Sequence, residues 1–428
     1  MWHPPHQAPV CMRKLFCTLG LLLGTLCSKA APSPHASDYL ADFDTLATEV
    51  TANYAYFTDG PQHWQAAVAH YRPLAAKARD QSAFISVLEQ LLEELHDDHA
   101  QLNRNTASSP RLVPSGTDLW AAWQGETARL VQVRPDSPAA KAGLQAGMVL
   151  THIQGLPTAV AVAQKLGRVA PQSSQRARDW ALRALLAGRR DQPRQLRLLA
   201  DGKPLEVTLA GVSTQASTPL SHRRIGSVGY IRLNNSLGQD ALIKDFDAAL
   251  AELSDSQGLI LDLRDTPGGG NSKIARAIMS RFIAVEAAYQ RHELPLEAQQ
   301  TGIARAWLEL VQPRGPFQYT RPLVVLVDHW TGSMGEGLAI GLHGLGRAQA
   351  VGTAMAGLLG ATYTIPLPHS GISANVPAER LLHVLGTPRE DFQPPIRVDL
   401  TQPAGNTNDP ILAAGLRELA SHRPGLVP

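Results

Sequence analysis

The chain has 428 residues, 44% hydrophobic and 18% charged, which suits two or three globular domains and excludes wholesale disorder. Its 35 glycines and 31 prolines are too few for a collagen-like or low-complexity protein. With 39 basic against 37 acidic side chains the formal charge is +2, so the composition offers no electrostatic case for nucleic acid as a partner.

All three cysteines, Cys11, Cys17 and Cys27, fall in the first thirty residues. That stretch carries Arg13-Lys14, an apolar run from Leu15 to Leu26, and the small-x-small sequence Ser28-Lys29-Ala30. It reads as a signal peptide (1–30) cleaved after Ala30, with Met12 a candidate start, and predicts a periplasmic or secreted protein. A lipoprotein anchored at Cys27 is the weaker reading, because Gly24-Thr25-Leu26 poorly matches the small residues expected there. The apolar run is too short to span a bilayer, so no membrane span is expected after leader removal. The processed chain would contain no cysteine, which excludes a disulfide, a thiolate zinc site and a cysteine nucleophile.

Residues 31–108 are helical in pattern. Tyr39, Leu40, Phe43 and Leu46 recur at helical spacing, and Phe84, Val87, Leu88, Leu91, Leu92 and Leu95 line one face of a later helix with Ser82 as its predicted N-cap. From 109 to 215 the pattern changes to short strands at 128–133 and 149–153 around a short helix at 137–144. A helix over 179–187 and a hairpin across Asp201-Gly202 follow. Residues 220–428 alternate strand and helix: strands at 228–233, 259–264 and 323–327, helices at 241–253, 274–283 and 336–345. The last two strands are nearly continuous apolar runs, as expected of strands buried on both faces, and the alternation predicts an α/β fold.

Three stretches could carry chemistry. Asp262-Leu-Arg-Asp-Thr-Pro-Gly268-Gly269-Gly270 ends a buried strand; its glycines allow close backbone approach, although on this run alone an ordinary strand-to-helix turn explains them better. Ser333 follows another buried strand and opens a helix, where unpaired N–H groups favour developing negative charge. Ser333 and Glu336 are also an S-x-x-E capping box, which needs no catalysis. His96 and His99 close a helix, where they would compensate its last carbonyls; i, i+3 spacing could also hold a metal, but no third ligand is evident and no metal is expected. Arg264, charged in an apolar strand, is read as a buried ion-pair member with Asp262 or Asp265 as partner.

Together these stretches resemble one family, the tail-specific, C-terminal processing serine peptidases and their tricorn-type relatives. The residues that carry the resemblance are Leu95-His-Asp97-Asp98-His99-Ala100, the segment VQVRPDSPAAKAGLQAGMVLTHIQG beginning at Val131, Asp262-Leu-Arg264-Asp-Thr266-Pro-Gly268-Gly269, and Ser333 to Glu336. The resemblance implies a crotonase-like α/β peptidase core preceded by a helical segment and a PDZ-like domain. It implies Ser333 as nucleophile, and the PDZ-like part would bind a peptide at Gly116, Thr117, Asp118 and Leu119. One branch of the family uses a lysine base about twenty-five residues after the serine. Here Leu358 stands near that point and no lysine follows Lys273, so a histidine base remains. The tricorn-like branch implies His99 as that base, with His329 and His343 as alternatives. It also implies a late glutamate that helps order the histidine side of the site, for which Glu390 matches best and Asp391 second.

The expected reaction is hydrolysis of a polypeptide, with backbone N–H groups of Gly268 or Gly269 and of Met334 stabilising the oxyanion and with no cofactor. Thr266 departs from the family's asparagine and Ala100 from its hydroxyl residue. Two rival functions stay open on sequence: a non-catalytic ligand- or peptide-binding protein on the same fold, and a hydrolase of non-peptide esters or amides.

Overall fold

Asp80 starts the helix Gln81–Glu93 because its extended backbone lets the carboxylate accept the Ala83 N–H at 2.8 Å. The cap therefore lies two residues before the expected Ser82, which falls inside the first turn. Phe84, Leu88, Leu91 and Leu92 then face inward and pack with helices Ala36–Asn53 and Gln62–Ala75. The computed structural model describes residues 36–57, 60–169, 174–212, 218–402 and 408–421. The predicted leader, its cleavage point and Cys27 lie outside the described residues.

The three helices do not close their core alone. Ile365, Leu367, Ile372 and Val376, from the antiparallel strands Ala361–Leu367 and Ile372–Leu382, supply the opposite wall. The short strand Gln101–Leu102 pairs with Ala374 and Asn375 of the same hairpin. Strands Ala287–Glu293 and Ala306–Val311 continue this sheet outward. The chain just after His99 is thus hydrogen-bonded to its C-terminal half.

A second sheet has the order Leu119–Gln124, Thr127–Val133, Val149–Ile153, Arg194–Ala200, Lys203–Leu209. Helices Thr158–Leu166 and Gln175–Ala187 cover it around Leu119, Leu130, Leu150, Trp180, Leu186 and Leu198. The predicted hairpin turns at Asp201 and Gly202, both with positive φ, the backbone that a two-residue hairpin requires.

The third sheet is the frame of the candidate site. Its order is Ile396–Arg397, Gln349–Gly352, Leu323–Val327, Gly258–Asp262, Val228–Leu233, Leu220–Ile225, parallel except for the last hairpin. Leu259, Leu261, Leu323, Val325 and Val327 point to a core shared with helices Ala241–Glu252, Ser272–Met279 and Met334–Gly344. Ile260, Val324 and Leu326 point the other way, to helix Pro410–Ser421. The two central strands are apolar on every residue except Gly258 and Asp262 because both faces are covered. Among the described residues no helix is long and apolar enough to cross a membrane.

Candidate active site

The strands Gly258–Asp262 and Leu323–Val327 lie side by side in parallel, so the loops that follow them emerge together, where open α/β sheets bind ligands. The loops are cross-linked: Gly332 N–H donates to Thr266 O at 3.1 Å, and Thr331 Oγ1 donates to Leu263 O at 3.1 Å. Ser333 sits at the top of the second loop with φ +53° and ψ −117°, a left-handed backbone that costs a non-glycine residue about 1–3 kcal/mol. Its N–H donates to Glu336 Oε2 at 2.7 Å, which holds this sharp turn at the start of the helix.

His99 arrives from the other side. Asp97 Oδ1 accepts the His99 N–H at 2.8 Å and Asp97 Oδ2 accepts from Tyr54 Oη at 3.0 Å, fixing the turn that follows the helical trio. The imidazole is buried, with Nε2 3.0 Å from Ser333 Oγ and Nδ1 2.5 Å from Leu359 O. A carbonyl oxygen only accepts, so Nδ1 carries the hydrogen and Nε2 turns its lone pair to the serine hydroxyl. Burial, reinforced by the Arg389 guanidinium, pushes the His99 pKa down to about 4, which keeps the ring neutral at neutral pH.

Glu336 connects the two halves. Beyond Ser333, its carboxylate accepts from Gly357 N at 2.9 Å and Leu358 N at 3.2 Å, next to the Leu359 carbonyl that orients His99. Burial pushes its pKa up to about 7, against three backbone N–H donors and Arg389. Arg389, also buried, donates from Nη2 to Leu358 O and Gly360 O, both at 2.8 Å. Sequence reasoning weighed Glu336 only as a cap partner and passed over Arg389. The signal for Glu336 was present in the S-x-x-E spacing; Arg389 had none.

Glu390 is not brought to the histidine. It lies in the short 3₁₀ turn Arg389–Asp391, and its Oε2 is buried without a hydrogen-bond partner. The Leu359 carbonyl holds His99 Nδ1, and the glutamate expected to help order the histidine side of the site makes no hydrogen bond to the ring. Gly269 is brought in: with φ +66° it runs so close to the serine that a Cβ there would lie 2.6 Å from Ser333 Oγ and 3.2 Å from Met334 N. Met334 is the first helical residue, so its N–H has no intrahelical acceptor. Gly268 is different, because its N–H already donates to Asn235 Oδ1 at 2.7 Å. Of the three expected oxyanion donors, Gly269 and Met334 flank the hydroxyl and Gly268 is engaged elsewhere.

The expected peptide-binding loop is also corrected. Thr117, Asp118 and Leu119 are fully buried, and the N–H groups of Gly116, Thr117 and Leu119 donate to Leu112 O, Pro114 O and Thr117 Oγ1. Asp118 pairs with buried Arg194 at 2.5 Å and accepts from Ala139 N at 2.9 Å. No amide of those three is left to receive a terminal carboxylate. The loop braces the serine turn instead: Thr117 O accepts from Trp330 Nε1 at 2.8 Å. Gln132, on the adjacent strand, donates to Asp328 Oδ2 at 2.7 Å, and its Oε1 lies 2.8 Å from His329 Nδ1.

His329 is thereby tied to Gln132 and Thr353, and His343 pairs with His383 at 2.9 Å; neither contacts Ser333. Arg264 forms the expected buried pair with Asp262 and adds Asp409, whereas Asp265 pairs with Arg134 and Arg232. His96 and His99 share no ligand position: the His96 ring stacks on His63 instead.

The sequence model of peptidase family S41 matches residues 227–394, which contain Ser333, the glycine loop and Arg389, and that of the tricorn protease C1 domain matches residues 35–93. The chain is a serine peptidase, and its residues 227–394 belong to family S41. Solved structures share its mixed α/β fold at low sequence identity. Mature CPAF complexed with lactacystin is 16% identical, covering 90% of this chain and 97% of its own, at a TM-score of 0.57. The photosystem II D1 C-terminal processing protease is 18% identical over 90% and 98%, at 0.53. A Parabacteroides merdae protein described as a putative peptidase is 16% identical over 93% and 100%, at 0.52.

Proposed function

We propose that Ser333 Oγ attacks the carbonyl carbon of a peptide bond while His99 Nε2 takes its proton and later returns it to the leaving amine. The observation that carries this reading is the 3.0 Å contact between Nε2 and Oγ, with Nδ1 held by a carbonyl that selects the required tautomer. The same carbonyl supplies orientation without a full negative charge, so the imidazolium formed during attack gains less stabilisation than beside a carboxylate. The N–H groups of Gly269 and Met334 form the oxyanion site, and such a donor contributes about 3 kcal/mol. The reaction needs no cofactor.

The substrate is a polypeptide, engaged near its C-terminus; the fold shared with the D1 C-terminal processing protease supports this. We read residues 220–428 as a crotonase-like core, supported by the parallel sheet with helices on both faces, and residues 109–215 as a PDZ-like domain, supported by a six-stranded sheet under two helices. We read the first thirty residues as a leader, and their composition supports a periplasmic or secreted protein.

Digestion of an unfolded polypeptide, followed by mass spectrometry of the products, tests the assignment. Ser333→Ala and His99→Ala should each lose at least about a thousandfold in turnover with the fold retained. A fluorophosphonate probe should label the wild type and fail on Ser333→Ala. Wild-type-like cleavage in either variant, or ester turnover without peptide cleavage, would overturn the reading.

A further inference from the structure

Three side chains behind the His99 turn converge without a role in the serine chemistry. His63 lies at the start of helix Gln62–Ala75, Glu94 ends helix Gln81–Glu93, and His96 follows two residues on. One ligand atom from each lies within 4.8 Å of the others, and His63 Nε2 and Glu94 Oε2 are 3.1 Å apart. Zinc bonds of about 2.0–2.1 Å set tetrahedral ligands roughly 3.3 Å from one another. The first pair already stands at that spacing, and closure of the third ligand is a movement of the order of 1 Å.

We propose that His63, Glu94 and His96 bind a divalent transition-metal ion of the Zn²⁺ type. The donor set of two imidazoles and one carboxylate selects such an ion over Ca²⁺ or Mg²⁺, which require mostly oxygen ligands. Glu94 is preorganised as a ligand. Its side chain is 2% exposed, and its other oxygen accepts from Tyr71 Oη at 3.1 Å, an outer contact of the kind that orients metal-binding carboxylates. His63 and His96 are both half-buried, which leaves solvent access for the ion and for a fourth, water ligand. Two cations border the cluster: Lys165 and Arg168 contact Glu93 at 2.6 and 2.7 Å, and Arg168 Nε also lies 3.6 Å from Glu94 Oε1, the oxygen turned away from His63. His96 holds φ +49°, a strained backbone for a non-glycine residue that a metal bond would offset. Because His96 stands three residues before His99, an occupied site would also pin the turn that delivers the catalytic ring.

The test is metal stoichiometry of the full chain, stripped by chelator and titrated with Zn²⁺ by calorimetry and with Co²⁺ by its visible ligand-field bands. The wild type should bind one more equivalent than His63→Ala and His96→Ala, and His99→Ala should keep that equivalent. Comparing variants in this way cancels any binding by the three cysteines. Tyr71→Phe, which keeps all three ligands, should weaken the same equivalent by about tenfold. Equal stoichiometry in the wild type and His63→Ala, or loss of the equivalent in His99→Ala alone, would overturn the proposal.

Discussion

Replacing Glu336 by glutamine keeps the shape of the buried side chain and removes one of its two acceptor oxygens. With the amide oxygen in the place of Oε2, the bonds from Ser333 N and Leu358 N are retained, while the new NH₂ group faces the Gly357 N–H donor to donor. One buried donor left unpaired costs about 1–3 kcal/mol. Relief of the buried carboxylate's desolvation, visible in a pKa raised to about 7, offsets part of this. The expected net loss is therefore about 1–2 kcal/mol in urea unfolding, from the same terms. The Gly357–Gly360 segment would shift, and with it the Leu359 carbonyl that aims His99. Misplacement by about 1 Å can cost up to a hundredfold in rate, so kcat should fall roughly ten- to a hundredfold with KM little changed. Steady-state kinetics on an unfolded polypeptide, beside urea unfolding, reads both effects. A Glu336→Gln variant with wild-type stability and kcat would refute the bridging role.

Gly269→Ala should fold and lose at least about a hundredfold in kcat/KM, because its Cβ would collide with Ser333 and displace a proposed oxyanion donor; near-normal kinetics would count against that donor. His99 is neutral above its lowered pKa of about 4, so the acid limb of kcat/KM should fall well below the ordinary histidine value, with activity retained at about pH 5. A limb at about 6.5 would contradict it. Asp118→Ala strips buried Arg194 of its partner and should cost about 3–5 kcal/mol in urea unfolding, far more than expected of an exposed ligand-binding loop. A change below about 1 kcal/mol would mean that the loop is not structural.

Local interactions made much of the fold legible in advance. The strands Val149–Ile153, Val228–Leu233 and Leu323–Val327 coincide with the apolar runs that predict them, since burial on one or both faces imposes its own period on the sequence. Ser333 and the glycine loop could be singled out for a related reason: each follows a buried apolar strand, and glycine runs and S-x-x-E spacing are local marks of a strand-to-helix turn. Helix ends were read less well, as Asp80 shows, because neighbouring polar side chains compete to cap.

Contacts between distant segments left no such mark. Nothing in the period of Phe84 to Leu92 announces that its core is completed by Ile365 and Val376. Nothing in Thr117-Asp118-Leu119 tells a carboxylate cradle from a buried brace; Arg194 and Trp330, far along the chain, decide it. The sequence alone determined which side chains can do chemistry and what kind of turn holds them. Tertiary structure decided which of them meet, that Leu359 rather than Glu390 bonds the histidine, and that Gly268 is already bound, because those outcomes depend on packing between loops that are 33 to 260 residues apart along the chain.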